Sequence, residues 1–421
     1  MPNTTVETLI ATNPADAERW SALVRTSPAR DVYYLPAYVR ASSEIEHSEP
    51  VAIVAGSGAC RILAPLLIRP MSAVADESRV EWLDACSPYG YGGLLNLSAT
   101  GKVDKRDLHS FLEGLHDWCC ERHLVCCVLR LHPLMYQEEW FMPVRYWQNF
   151  VRIVYRGSTC DIDLNDWDAS LDQPKGLRRD RRADMKCARR NLRVTWSTGE
   201  DHDAEASLNL FARLYSQTLD RLNAKVFYRF SPSYFSGLGV LGQDLGIALA
   251  WRGDEPVGGN LFLLGCNYSH GHLAGANQTG RMYGASTLLI VEGSRRARQR
   301  GCELLNIGGG MRSGDRLEDY KQSFGGRSHR YAFVIHIADP ERFEQLCRMP
   351  NAPWPYTMST PLVHTFPPPP ASEDIGRVFP VPEPTARTPA LLAHAGSPRA
   401  CHPDGRSPSL GNHFKNIKSG E

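Results

Sequence analysis

Long apolar runs are missing from this sequence. None approaches the roughly 18–20 residues that a membrane-spanning helix needs. The opening residues, Met1-Pro2-Asn3-Thr4-Thr5, have neither a basic start nor an apolar core, so they do not read as a secretory signal. Net charge is nearly absent as well. With 47 Lys and Arg against 46 Asp and Glu the formal charge is +1. No global field draws the chain to DNA or to a membrane surface, and any basic function has to be local. The twelve cysteines contain no Cys-x-x-Cys pair. They sit mostly inside apolar stretches, as at Cys119-Cys120 and Cys126-Cys127, and read as small buried thiols of a reduced, cytoplasmic protein. No Ser-His-Asp or Cys-His arrangement has support in the sequence.

What is present is a chain of 421 residues, 42% hydrophobic and 22% charged, long enough for two domains and a tail. Residues 7–45 suggest two short helices, the second opened by Pro36. Residues 51–55 and 61–68 read as paired strands, and 79–84 as a third. Ser87-Pro88-Tyr89-Gly90-Tyr91-Gly92-Gly93 suits either a rigid loop lining a cleft, with Tyr89 and Tyr91 touching substrate, or a packed turn. Leu108, Phe111, Leu112, Leu115 and Trp118 fall on one stripe of a helix over 105–122. A continuous apolar strand follows over 124–131.

The second half begins near Val151. Residues 175–191 predict a basic helix. Nine Lys or Arg stand against two Asp between Lys175 and Arg193, and Arg178, Arg182 and Lys186 share a stripe. A phosphate-rich partner such as a nucleotide, coenzyme A or tRNA fits this face, and so does plain solvation. Helices over 204–222 and 231–238 lead to three strands, at 245–251, 256–265 and 267–274. A long helix then ends at Gly301. Beyond Asn351 proline, serine, glycine and histidine dominate, and residues 351–421 read as a disordered tail.

The most informative stretch is Asn306-Ile307-Gly308-Gly309-Gly310-Met311-Arg312-Ser313-Gly314-Asp315-Arg316-Leu317-Glu318-Asp319-Tyr320-Lys321. A short strand ends in Gly308, Gly309 and Gly310, which let backbone approach a ligand. A short helix then presents Tyr320 and Lys321. The alternative is a tight strand-to-helix connection with a solvated lysine. Asp315 is the first candidate for a general base, against the simpler role of helix N-cap. His270 and His272 share a strand face and line a cleft. As a metal pair they lack a third ligand, so no metal is expected.

Arg281-Met282-Tyr283-Gly284-Ala285-Ser286 resembles the pyrophosphate loop of GNAT acyltransferases, with Ser286 departing from the usual Gly or Ala. Together with the 87–93 loop, the basic helix and the glycine stretch, it makes residues 10–340 resemble the Fem-type branch of that superfamily. The resemblance implies an α/β (α+β) fold of tandem GNAT-like domains, over 1–150 and 151–350, each a mostly antiparallel sheet flanked by helices. It implies transfer of an aminoacyl or acyl group from an activated ester or thioester to an amine of a cell-wall (peptidoglycan) precursor, peptide or small molecule. The donor would be aminoacyl-tRNA or acyl-CoA, with no bound cofactor. The family's Phe-Lys pair falls on Tyr320-Lys321, where the lysine stabilises the tetrahedral intermediate. Arg281 and Gly284 would hold donor phosphates, as would Arg178, Arg182 and Lys186. The long coiled-coil insertion of some tRNA-using members is absent. An acyl-CoA N-acetyltransferase and a non-catalytic peptide- or nucleotide-binding protein remain alternatives.

Overall fold

The computed structural model describes residues 5–57, 60–71, 82–98, 103–141, 150–310 and 314–348. The proline-rich segment read as a disordered tail lies outside them. In the first half the strands are β1 (Thr5–Ile10), β2 (Glu49–Ser57), β3 (Cys60–Pro70), β4 (Leu83–Cys86), β5 (Leu95–Asn96) and β6 (Leu124–Arg130). Its helices are α1 (Pro14–Thr26), α2 (Pro36–Glu46), α3 (Lys105–Glu121) and the single turn α4 (Glu138–Phe141). In the second half come β7 (Val151–Asp163), a small hairpin of β8 (Trp167–Asp168) and β9 (Gln173–Pro174), then β10 (Arg193–Thr198), β11 (Leu245–Arg252), β12 (Glu255–Leu264), β13 (Tyr268–Ala276), β14 (Leu304–Gly308) and β15 (Arg327–Ile337). The helices there are α5 (Arg179–Asn191), α6 (Ala204–Leu222), α7 (Pro232–Gly239), α8 (Gln278–Met282), α9 (Ala285–Gln299), α10 (Arg316–Gln322) and α11 (Pro340–Arg348).

Among the described residues thirteen strands join in one sheet, ordered β1-β2-β3-β4-β6-β15-β7-β14-β13-β12-β11-β10, with β5 paired to β3. Most pairings are antiparallel; β4 with β6 and β13 with β14 are parallel. The expected α/β architecture of mostly antiparallel sheet flanked by helices is therefore the one observed. The sequence reading missed β1, β7 and β10, and the two-residue strands β5, β8 and β9. Residues 5–10 form an edge strand antiparallel to β2 rather than leading into a helix. The basic helix starts at Arg179, four residues later than expected, because Gln173–Pro174 is still strand and Gly176 lies against Gly325. The division at 150/151, kept here as a proposal, falls at the start of β7. The sheet itself runs through it, since β15 pairs with β6 on one edge and β7 on the other.

Side chains of a strand alternate between faces, and both faces of this sheet are covered. In β2, Val51, Ile53 and Ala55 pack under α3, while Ala52 and Val54 pack with Trp20 and Val24 of α1. In β11, Ala248 and Ala250 join a core with residues of α5 and α9; Leu245, Ile247 and Leu249 join one with residues of α6 and α7. Burial on both faces explains why these strands read as unbroken apolar runs. Phe211 of α6 is 0% exposed and stacks on Tyr215. Phe211→Ala is expected to lower unfolding free energy by about 3–5 kcal/mol, read from urea denaturation. An unchanged midpoint would show that α6 does not carry that core.

Candidate functional site

Strands β13 and β14 are partners over only three positions, Tyr268↔Leu304, Ser269↔Leu305 and His270↔Asn306. Beyond them β13 keeps β12 while β14 continues against β7. The strands part, leaving a notch in the sheet with His272 on one lip and Gly308 on the other. Asn306 sits at its base, 1% exposed. Its Oδ1 accepts from Gly308 N (2.7 Å) and Thr159 Oγ1 (2.9 Å), and its Nδ2 is buried with no partner.

On the α9 face of the sheet, Lys321 reaches back from α10 to the glycines. Its Nζ donates to Gly309 O at 2.8 Å. Gly308 has φ +70°, and a Cβ there would lie 3.0 Å from that Nζ. At Gly309 a Cβ would stand 1.7 Å from Ser158 O. Both positions therefore exclude side chains: the glycines make room for the lysine and for β7. Burial pushes the Lys321 ammonium down to about 8, against smaller opposing effects of Cys160 and Asp315. Asp315 is the N-cap of α10, accepting from Glu318 N at 2.8 Å. Its side chain is thus committed to the cap and to offsetting the lysine's charge. Met311 to Ser313 lie outside the described residues.

Tyr320 ties three helices together. The Arg181 guanidinium lies 4.9 Å over its ring. Its hydroxyl is 3.3 Å from Thr287 Oγ1, and that hydroxyl in turn donates to Asp184 Oδ2 at 3.3 Å. Arg181 closes the circuit with Asp184 at 2.7 Å. Burial raises Tyr320 to about 12, so it stays a neutral donor. This network puts a carboxylate at the first turn of α9, where Gly284 (φ +76°) approaches within 3.3 Å of Asp184 Cβ, measured from a Cβ built on the glycine. A helix N-terminus attracts anions; here the Asp184 carboxylate stands beside the first turn through Thr287 Oγ1, and no side chain caps the backbone N–H groups of α9.

Of the proposed phosphate-binding residues, Arg178 is engaged with Asp319 at 2.7 and 3.1 Å, and Arg182 Nε donates to Leu177 O. Arg281 folds back onto Ala276 O at 3.1 Å. Lys186 is exposed on the outer face of α5.

The opposite face of the sheet carries the other candidates. His270 and His272 do not act as a pair. A bulge between the Leu261 and Phe262 positions of β12 separates their surroundings. His270 Nε2 lies 2.9 Å from Asp31 Oδ2, and His132 Nε2 lies 3.6 Å from the same oxygen. All three residues are at most 3% exposed. Burial would raise the Asp31 carboxyl, but the two histidines reverse this and hold it well below the usual range. These groups lie within 4.8 Å of one another, so His270 gathers two possible ligands from the first half of the chain, and His272 is not one of the set. The donor set nevertheless fits a proton network better than a metal. Leu134 N donates to His132 Nδ1 at 3.3 Å, placing the ring proton on Nε2, whereas a metal-bound imidazole donates outward from its free nitrogen.

His272 Nε2 is 2.5 Å from Tyr234 Oη, and burial, then His270, push its pKa down to about 3, so the ring is neutral. The Tyr89 ring stands 5.7 Å from it. Tyr91 is 8% exposed and meets Tyr33 and Tyr331 edge-on. Of the sequence candidates, the fold thus gathers Gly308, Gly309, Tyr320, Lys321 and Asp315 with Gly284 on one face. Tyr89, Tyr91, His270 and His272 gather on the other, and the notch lies between. Sequence reasoning missed Asp31, His132, Arg181, Asp184 and Arg130. His132 was visible in the motif Arg130-Leu131-His132-Pro133, but its partner is about a hundred residues away in sequence.

Residues 174–322 match the family model described as an acetyltransferase (GNAT) domain. No curated protein matches the chain significantly in sequence. Among solved structures, the chain is similar to FemX at TM-score 0.61 and 12% identity, covering 80% of this chain and 99% of that one. It is also similar to a conserved protein of unknown function from Bacteroides thetaiotaomicron VPI-5482, at TM-score 0.51 and 12% identity, covering 80% and 100%. Residues 174–322, with Lys321 and the α9 turn inside them, thus match a GNAT acetyltransferase domain, and the fold that carries them is similar to that of FemX.

Proposed function

We propose that the protein is a Fem-like aminoacyltransferase that moves an aminoacyl group from aminoacyl-tRNA to the amine of a peptide, cell-wall precursor or similar small acceptor. The observation that carries this reading is Lys321, withdrawn from solvent beside the glycine exit of β14 with a pKa near 8. An ammonium poised there suits an oxyanion forming at the notch. The acceptor amine attacks the ester carbonyl, the carbon–oxygen bond to the ribose breaks, and the released hydroxyl takes up the proton that the amine gives away. Lys321, with Asn306 Nδ2 as a second donor, stabilises the intermediate.

Asp184 weighs against coenzyme A. A pyrophosphate docking at the first turn of α9 would meet a carboxylate already held by Thr287 and Arg181. Charged tRNA needs no anion site there, and the exposed Arg179, Lys186 and Arg190 of α5 offer it a basic face. The acyl-CoA reading keeps one observation in its favour, the glycine at φ +76° opening α9. Purified protein incubated with charged tRNA and with acyl-CoA separates the two. Product is expected from the tRNA only, abolished by RNase; RNase-insensitive turnover of acyl-CoA would overturn the proposal.

Lys321 also sets a pH dependence. It acts protonated, so kcat should fall as pH rises through about 8, and Lys321→Arg should move that limb upward. Lys321→Met is expected to lower kcat by about 10²–10³. Its stability should move the other way. The folded pKa of about 8 lies below the ordinary 10.5, so the native state gives up its proton first and stability rises with pH between those values. Below pH 8 the buried ammonium costs roughly 3 kcal/mol. Lys321→Met should therefore melt at or above the native temperature at pH 7. A destabilised variant, or one with unchanged kcat, would refute the assignment.

A further inference from the structure

One buried cation takes no part in the scheme above. Arg130 ends β6, opposite Phe333 of β15, and its backbone N–H is held by Ser87 Oγ at 3.0 Å. The guanidinium lies 4.6 Å from the ring centre of Tyr91, 5.1 Å from Tyr331 and 5.5 Å from Phe333. Its Nε is buried and makes no hydrogen bond. No carboxylate among the described residues pairs with it; the groups that act on its charge are the phenols of Tyr91, Tyr331, Tyr89 and Tyr33. Two other arginines packed into the fold do have a carboxylate: Arg69 holds Asp84 at 2.8 Å, and Arg181 holds Asp184 at 2.7 Å. Cation–π contacts offset part of the desolvation of a guanidinium, but an unpaired buried charge remains costly.

The rings around it continue in one direction. From Arg130 the wall runs by Tyr91 and Tyr89 to His272, on the lip of the notch. Across from Tyr89, on the segment after α6, stand Phe230 and Phe227, the latter 48% exposed; Val226 beside it is 82% exposed. The arrangement is a cation without an anion at one end, an apolar and aromatic wall, and the acyl-transfer notch at the other end.

We propose that Arg130 is the anchor for the carboxylate of the acceptor, so that the acceptor is an amino acid or short peptide with a free carboxylate at one end, an apolar body and the reactive amine at the other. The planar fork of arginine suits bidentate binding of a carboxylate, and the aromatic wall suits the body. This rests on the acyl-transfer reading for the role of the amine, but the binding itself is measured without any donor.

The probes are the dipeptide Ala-Phe and its C-terminal amide, titrated calorimetrically into the full chain. The native protein should bind the acid at least about tenfold more tightly than the amide, the margin of one lost charged pair. Arg130→Met should bind both alike while melting at or above the native temperature, because it removes an uncompensated charge; Arg130→Lys should recover part of the preference. Equal affinity for acid and amide in the native protein, or no binding of either, overturns the proposal. So does a marked drop in melting temperature of Arg130→Met, which would make the guanidinium a strut between rings. RNase-sensitive transfer to a simple alkylamine with no acid preference leaves the aminoacyltransferase intact and removes only this inference; an acid preference without turnover on any donor does the reverse.

Discussion

Strand β15 is hydrogen-bonded along both edges, and the rest of the structure depends on that double pairing. It runs antiparallel to β6 over Phe333 to Ile337 and to β7 over Arg327 to His336. Without it the first half would expose the edge of β6, and the second half the edge of β7. A free edge of that length is both unstable and prone to pairing elsewhere. The chain that follows the candidate lysine thus returns to seal the two halves. Lys321 on α10 is separated from the start of β15 by Gln322 to Gly326 alone, so the lysine's position is tied to the strand that joins the lobes.

The same sheet divides the chemistry. On one side lie α5, α9 and α10, with the Lys321 ammonium and the Asp184 carboxylate beside the first turn of α9. On the other lie the tyrosines, the Asp31–histidine cluster and Arg130. A sheet closed along its length would keep these apart. The departure of β14 from β13 after His270 and Asn306 opens the sheet at a point between the two groups. The Asp31 cluster stands directly beside that point and joins a loop of the first half to a strand of the second. Its three side chains are buried, so the energy of the cluster depends on the two halves staying registered. That gives it a plain role in holding the lips of the notch in place.

How far the sequence disclosed this depended on how local each signal was. The stripe of α3 and the apolar runs of β3, β6 and β12 are written in consecutive residues, and they were readable. The strand β7 was not, because Val151 to Asp163 mixes polar and apolar positions and acquires its conformation from β14 and β15. Lys321 was legible as the partner of three glycines within a dozen residues. The contact of Asp184 with Thr287 in the first turn of α9 was not, since it depends on the packing of α5 against a helix residue 103 positions on. Arg178 and Arg182 show another limit of a local pattern. Their spacing advertises a free basic stripe, yet Arg178 is spent on Asp319, and one donor of Arg182 on a backbone carbonyl. Periodicity tells which residues share a face, and says nothing of what that face meets.

Lys321 and Arg130 are largely withdrawn from solvent without a carboxylate in hydrogen-bonding contact among the described residues, one on each side of the notch. Folding alone does not favour either. The lysine makes one neutral hydrogen bond, to Gly309 O, and the arginine rests on rings. Elsewhere the chain neutralises its buried cations with aspartate, as at Arg69 and Arg181, so the means to do so were present in this fold. Sites that must receive negative charge from outside cannot be neutralised in advance without losing that capacity. In the proposed reaction the missing counter-charges would come from outside: an oxyanion at Lys321, and a permanent anion of the acceptor at Arg130.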